Sequence, residues 1–189
     1  MWCKSYPTSM MRMGFMLRLA GAYSNASMKE YEIFMKLDPT LTMILPKIRP
    51  DYESFAHVDG TMMVKLDKAL YGCVESAKLW YDHLTATLEG NGYVRNKLDI
   101  CVFNKYNSKG EQLTIVAHVD DLNITSGSND SINKLFDMLR AVYKDISVTT
   151  GKVHSYLGQT FNYSKRGKCM VSIEAVSYTH LTLPTKRIV

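Results

Sequence analysis

Leu113-Thr114-Ile115-Val116-Ala117-His118-Val119-Asp120-Asp121-Leu122-Asn123-Ile124-Thr125 reads as a strand, a two-carboxylate corner and a second strand. Apolar residues flank Asp120 and Asp121 on both sides, so the two acids belong at the tip of a hairpin. Like charges at adjacent positions repel unless water or a positive group compensates them. Asp is common in turns for local hydrogen-bonding reasons, so solvation is one account of the pair. A hard divalent cation such as Mg²⁺, which takes carboxylate oxygens and keeps several waters, is the other.

The chain around this corner extends the hairpin. Cys101 to Tyr106 reads as a strand paired with Leu113 to His118 through the turn Asn107-Ser108-Lys109-Gly110, which makes an antiparallel meander with Leu122 to Thr125. Two helices flank the meander. Val74 to Glu89 places Val74, Ala77, Tyr81, Leu84 and Leu88 on one face, with Trp80 bordering that stripe as a core residue, and Gly90-Asn91-Gly92 stops it. Ser131 to Tyr143 places Ile132, Leu135, Leu139 and Val142 inward. Further strands are expected at Ile33 to Leu37, at Met62 to Leu66 and over Tyr156-Leu157-Gly158-Gln159-Thr160-Phe161. The basic turn Lys165-Arg166-Gly167-Lys168 then leads into a return strand, Cys169 to Ile173. Asp38-Pro39 ends the Ile33 to Leu37 strand because proline lacks a backbone donor, and helical turns are expected from Thr40 to Ile48. Mixed helices and antiparallel strands predict an α+β fold, with helices packed on one face of the sheet and the acid corner at the edge of the open face.

Bulk composition narrows the class without choosing a function. The chain has 189 residues, 46% hydrophobic and 22% charged, which suits an ordinary globular domain and excludes a disordered one. A net charge of +5 is compatible with nucleic acid without demanding it. Cys3, Cys73, Cys101 and Cys169 form no C-x-x-C pair, so neither zinc nor a disulfide framework is indicated. No apolar run approaches the length of a membrane span.

Four blocks in order carry a family resemblance. Lys65-Leu66-Asp67-Lys68-Ala69-Leu70-Tyr71-Gly72-Cys73-Val74-Glu75-Ser76-Ala77-Lys78-Leu79-Trp80-Tyr81 resembles the "KALYG…W(Y)" block of Ty1/copia-type retrotransposon reverse transcriptases, and His118-Val119-Asp120-Asp121 resembles their Y-V-D-D box. Gly21-Ala22-Tyr23-Ser24-Asn25-Ala26 and Tyr156-Leu157-Gly158 resemble two further segments of that family, one before and one after. The resemblance implies an RNA-directed DNA polymerase palm from a Pol polyprotein. It implies an intracellular setting, an RNA template, a DNA primer and dNTP as partners, and Mg²⁺ in a two-metal site. It assigns Asp120 and Asp121 to catalysis and metal binding. It places Glu75, Lys78 and His118 near the nucleotide or primer, and Lys165, Arg166 and Lys168 near a phosphate backbone.

One departure from the family pattern stands out. The third family carboxylate precedes the Ala-Tyr segment by four residues from Ala22, and that position holds Arg18. A guanidinium keeps its charge near neutral pH, so it would pair with Asp120 and compete with a metal. The expectation is a catalytically impaired copy, with a non-catalytic template-primer-binding relic as the alternative. Asp38 is the nearest downstream acid that could substitute, although its place after a strand reads as structural. An unrelated Mg²⁺-dependent phosphotransferase or hydrolase would need a His, Ser or Glu constellation beside the acids, and the sequence offers none.

The resemblance fades at both ends. Residues 1–17 read as a non-family segment outside the fold, consistent with a frameshift or misplaced start, and residues 18–175 as the palm with a remnant of fingers. Residues 176–189 resemble a tail seen in translated sequencing-adapter contamination. Neither end is expected to join the sheet.

Overall fold

The computed structural model describes residues 13–165 and 168–173. Along the chain the elements are β1 (Met13–Leu19), a single helical turn α1 (Ala22–Asn25), β2 (Phe34–Leu37), α2 (Pro39–Ile48), a 3-10 segment (Pro50–Phe55) and β3 (Met62–Lys65). There follow α3 (Ser76–Gly90), β4 (Val94–Arg95), β5 (Val102–Tyr106), β6 (Gln112–His118), β7 (Asp121–Ser126) and α4 (Asn129–Tyr143). The last four strands are β8 (Ile146–Thr149), β9 (Val153–Tyr156), β10 (Gln159–Asn162) and β11 (Met170–Ser172). The fold is α+β, and the described residues form two compact units: residues 22–84 make one, and residues 13–21 with the described residues from 85 to 173 make the other.

The larger unit is built on a six-stranded antiparallel sheet of order β4-β5-β6-β7-β1-β8. Alternation in β6 and β7 sends Leu113, Ile115, Ala117, Leu122 and Ile124 into the core. Leu17 lies opposite Leu122 and Phe103 opposite Ile115, so they join the same face. Phe103, Ile115, Leu122 and Ile124 are completely buried. Each such side chain contributes about 1.5–3 kcal/mol by leaving water. α4 covers this face. Its Ser128 cap accepts from the Ser131 amide, and Ile132, Leu135, Phe136, Leu139 and Tyr143 are buried along it. The Phe136 ring meets Phe15 of β1 edge-on at 5.8 Å. The Tyr143 hydroxyl, 3.2 Å from Thr87 Oγ1, ties α4 to the last turns of α3.

On the opposite face Arg18 of β1, Thr114 and Val116 of β6, and Asp121, Asn123 and Thr125 of β7 are polar or partly exposed, while Met16 of β1 is buried. The three-stranded sheet β11-β10-β9 contacts this face. The Tyr156 hydroxyl reaches the Val116 carbonyl at 3.4 Å, and the Tyr163 ring lies against Gly14 where no Cβ intervenes.

In the smaller unit β2 and β3 pair antiparallel, and a bridge joins Ser27 to Lys68. Asp38 is the cap of α2: its Oδ1 accepts from the Leu41 amide at 2.8 Å. This satisfies an amide that the first turn cannot. Among the described residues no helix is long and apolar enough to cross a membrane.

Four sequence expectations are corrected. Met13 to Leu17, assigned to a segment outside the fold, begin β1, which lies between β7 and β8. The run Tyr156 to Phe161 is not one strand: Leu157 and Gly158, at φ of +50° and +74°, turn the chain between β9 and β10. In α3 the buried stripe is Ser76, Trp80, Leu84 and Leu88, while Val74 precedes the helix at 89% exposure and Ala77 faces outward. In α4, Val142 is 42% exposed and Tyr143 takes the inward position. Residues 176–189 and Arg166 lie outside the described residues.

Candidate active site

The acid corner is a two-residue hairpin loop. His118 and Asp121 are the closing pair of β6 and β7, so Val119 and Asp120 make the turn. Val119 has φ of +51°. Two-residue hairpin loops favour positive φ because it matches the strand twist, and Gly or Asn normally supplies it. A β-branched residue there is strained, at a cost of order 1–3 kcal/mol, and such strain clusters at functional sites. A backbone hydrogen bond of 2.8 Å from the Leu19 amide to the Asp120 carbonyl anchors the turn to the end of β1.

Antiparallel register then places the cation. Arg18 lies directly opposite Asp121 across β1 and β7, on the face away from α4. Its Nε donates to Asp121 Oδ1 at 2.8 Å and its Nη2 donates to Oδ2 at 3.1 Å. The same Nε stands 3.7 Å from Asp120 Oδ2. This is a fork-to-fork pair, the strong geometry for guanidinium and carboxylate. It engages both Asp121 oxygens. The Arg18 side chain is 63% exposed, whereas Asp120 and Asp121 are 31% and 22% exposed.

Tyr156 borders the corner. Burial, and then the Asp121 charge, push its phenol up to about 12, so it stays a neutral donor at physiological pH. The sequence marked its segment but not this role, since nothing in a Tyr-Leu-Gly triplet shows that β9 crosses the open face.

The fit of a metal can be judged from the donors. A two-metal carboxylate site needs anionic oxygens from neighbouring strands that are free to bind cations. Here the neighbouring strand supplies a cation, and it occupies one of the two acids. Among the described residues no group of three or more His, Cys, Asp or Glu side chains converges as a metal site. The residues present therefore do not fit the two-ion arrangement.

The other predicted site residues lie on separate elements. His118 is exposed beside the turn. Lys165 and Lys168 are exposed, joined by a backbone hydrogen bond of 3.1 Å that closes the basic turn. In the smaller unit, Glu75 is half-buried at the entry to α3, and Lys78 is paired with Asp82 one turn on, at 2.6 Å. Asp38 Oδ1 is engaged as the cap of α2.

Comparison with known proteins gives a consistent signal. Residues 10–179 match the family described as reverse transcriptase (RNA-dependent DNA polymerase), beginning inside the N-terminal segment that sequence reading set aside. A transposon Ty5-1 protein of Saccharomyces cerevisiae is 26% identical over 81% of the chain and 44% of its own length. The transposon Ty1-GR1 Gag-Pol polyprotein of the same yeast is 27% identical over 82% of the chain and 8% of its own length. The chain thus spans less than half the length of these curated relatives. A telomerase structure from Candida tropicalis aligns with 87% of the chain and 36% of its own length, at a TM-score of 0.47 and 10% identity.

Proposed function

The chain belongs to the reverse transcriptase (RNA-dependent DNA polymerase) family, and from that premise we propose that it is a palm region that binds template and primer but polymerises poorly or not at all. Its relatives are Ty-type retroelement proteins, among them Gag-Pol polyproteins. The sheet, with helices on one face and an acid-bearing hairpin turn on the other, is the scaffold such a polymerase uses. In this reading Asp120 and Asp121 are the remaining carboxylates of a Mg²⁺ site. RNA template, DNA primer and dNTP are the partners. His118 adjoins the primer end, and Lys165, Arg166 and Lys168 hold phosphates. Glu75 and Lys78 take the nucleotide-side roles that the family blocks imply.

The observation that carries the proposal is the Arg18 fork on Asp121, at 2.8 and 3.1 Å. A family acid at this place would add an oxygen ligand. Arginine removes that ligand and neutralises one of the two that remain. The chain's own residues here do something narrower. Val119 holds the turn tight, Asp120 presents one carboxylate, and Arg18 pairs with Asp121.

The test is paired. In primer extension on an RNA template with Mg²⁺ or Mn²⁺, no incorporation above background is expected, while gel-shift binding of the same template-primer persists and weakens with added salt. Robust extension that disappears in Asp120→Asn would overturn the proposal.

A further inference from the structure

At the other end of β6, about 20 Å from the acid corner at the usual rise per residue, the larger unit has a cavity of about 310 Å³. That lies at the lower end of the range for small-molecule sites. Its lining includes Tyr93, Lys105, Tyr106, Asn107, Ser131 and Lys134, and no carboxylate. We propose that this cavity binds a nucleotide, as a free nucleoside monophosphate or as one residue of a single strand, with the phosphate on Lys105 and Lys134 and the base against the tyrosines.

The chemistry of the lining supports this assignment. Lys105 Nζ donates one hydrogen bond to the Asn91 carbonyl at 2.7 Å and sits 5.1 Å from the centre of the Tyr93 ring. Two of its protons remain for a phosphate. Lys134 is exposed on α4, and among the described residues it has no ion pair or hydrogen bond. Tyr93 is only 6% exposed as a residue and lines the cavity. Burial pushes its phenol up to about 12, so it remains a donor at neutral pH. The Ser131 hydroxyl accepts from Asn107 Nδ2 at 3.4 Å, which leaves its own proton for a ligand. Ser131 lies in the first turn of α4, where the helix dipole favours an anion. Asp130 shares that turn but is exposed and does not line the cavity. Glu111 is engaged by Asn107 at 2.7 Å. Two cations, two neutral donors and two aromatic rings fit a phosphate joined to a flat apolar group better than either part alone.

The site is independent of the acid corner, and the experiment separates them. The full chain is titrated calorimetrically with adenosine 5′-monophosphate, with inorganic phosphate and with a short single-stranded oligodeoxynucleotide. The same titrations are run on Lys134→Glu, Tyr93→Phe and Asp120→Asn, with folding checked by circular dichroism. Expected are binding of the nucleotide or oligonucleotide, a loss of about tenfold in Lys134→Glu, a smaller loss in Tyr93→Phe and none in Asp120→Asn. A preference for the monophosphate identifies the free ligand, and a preference for the oligonucleotide identifies a strand. Three results would each overturn the proposal: no binding of either, equal binding by Lys134→Glu, or inorganic phosphate binding as tightly as the nucleotide.

Discussion

Replacing Arg18 with Asp should convert the acid corner from a self-neutralised ion pair into a cation site. In the native corner two carboxylates face one guanidinium at 2.8 and 3.7 Å. A divalent ion on the Asp120 side would stand about 4 Å from that positive charge. In water two unit charges at that distance interact by about 1 kcal/mol, so a doubly charged ion is repelled by about 2 kcal/mol. Near-water screening is appropriate because Arg18 is 63% exposed. The Asp substitution reverses the sign and adds about as much attraction, for about 4 kcal/mol in total. Physiological salt screens close to half of this. The expected gain is therefore about 2–4 kcal/mol, or roughly 30- to 700-fold in Mn²⁺ affinity. Arg18→Met, which removes the charge without adding a ligand, should recover about half of the free energy. Calorimetric titration with Mn²⁺ reads all three proteins, and Asp120→Asn in the Arg18→Asp background locates the ion. The reasoning fails if the unmodified chain already binds Mn²⁺ at an Asp120-dependent site as tightly as Arg18→Asp, or if Arg18→Asp gains nothing.

Gly14→Ala should displace Tyr163, because the new Cβ would overlap that ring. A thermal melt should show a loss of about 1–3 kcal/mol, and the Tyr163 phenol should return from about 12 toward its ordinary value of 10.0 as it leaves its buried position. Unfolding free energy should fall between pH 10 and 12. Burial raises the folded-state values of Tyr93, Tyr156 and Tyr163 to about 12, so over that window the unfolded chain has released protons that the folded chain keeps. Denaturant melts across the window check this, and rising stability there would contradict it. Asp38→Ala should cost about 1 kcal/mol by removing the α2 cap without changing any activity. A selective loss of template-primer binding would instead give Asp38 a functional part.

Much of this protein was legible from local pattern. Alternation in residues 113–125 dictated the β6–β7 hairpin, since a period of two allows only one face to be apolar. The spacing of Ile132, Leu135 and Leu139 dictated α4, and the ordered family blocks indicated a reverse transcriptase. Long-range pairing was not legible. Nothing in Met13 to Leu19 announces that it lies between β7 and β8, because strand neighbours are chosen by contacts distant in the chain. The positive φ at Val119 was hidden as well, for its residue type argues against it and only the closing pair of the hairpin imposes it. Arg18 shows both levels at once. The sequence by itself determined that a cation stands where an acid was expected, because residue identity is local. Only the tertiary structure decided that it bonds Asp121 through both carboxylate oxygens, because that contact depends on the register of two strands more than a hundred residues apart.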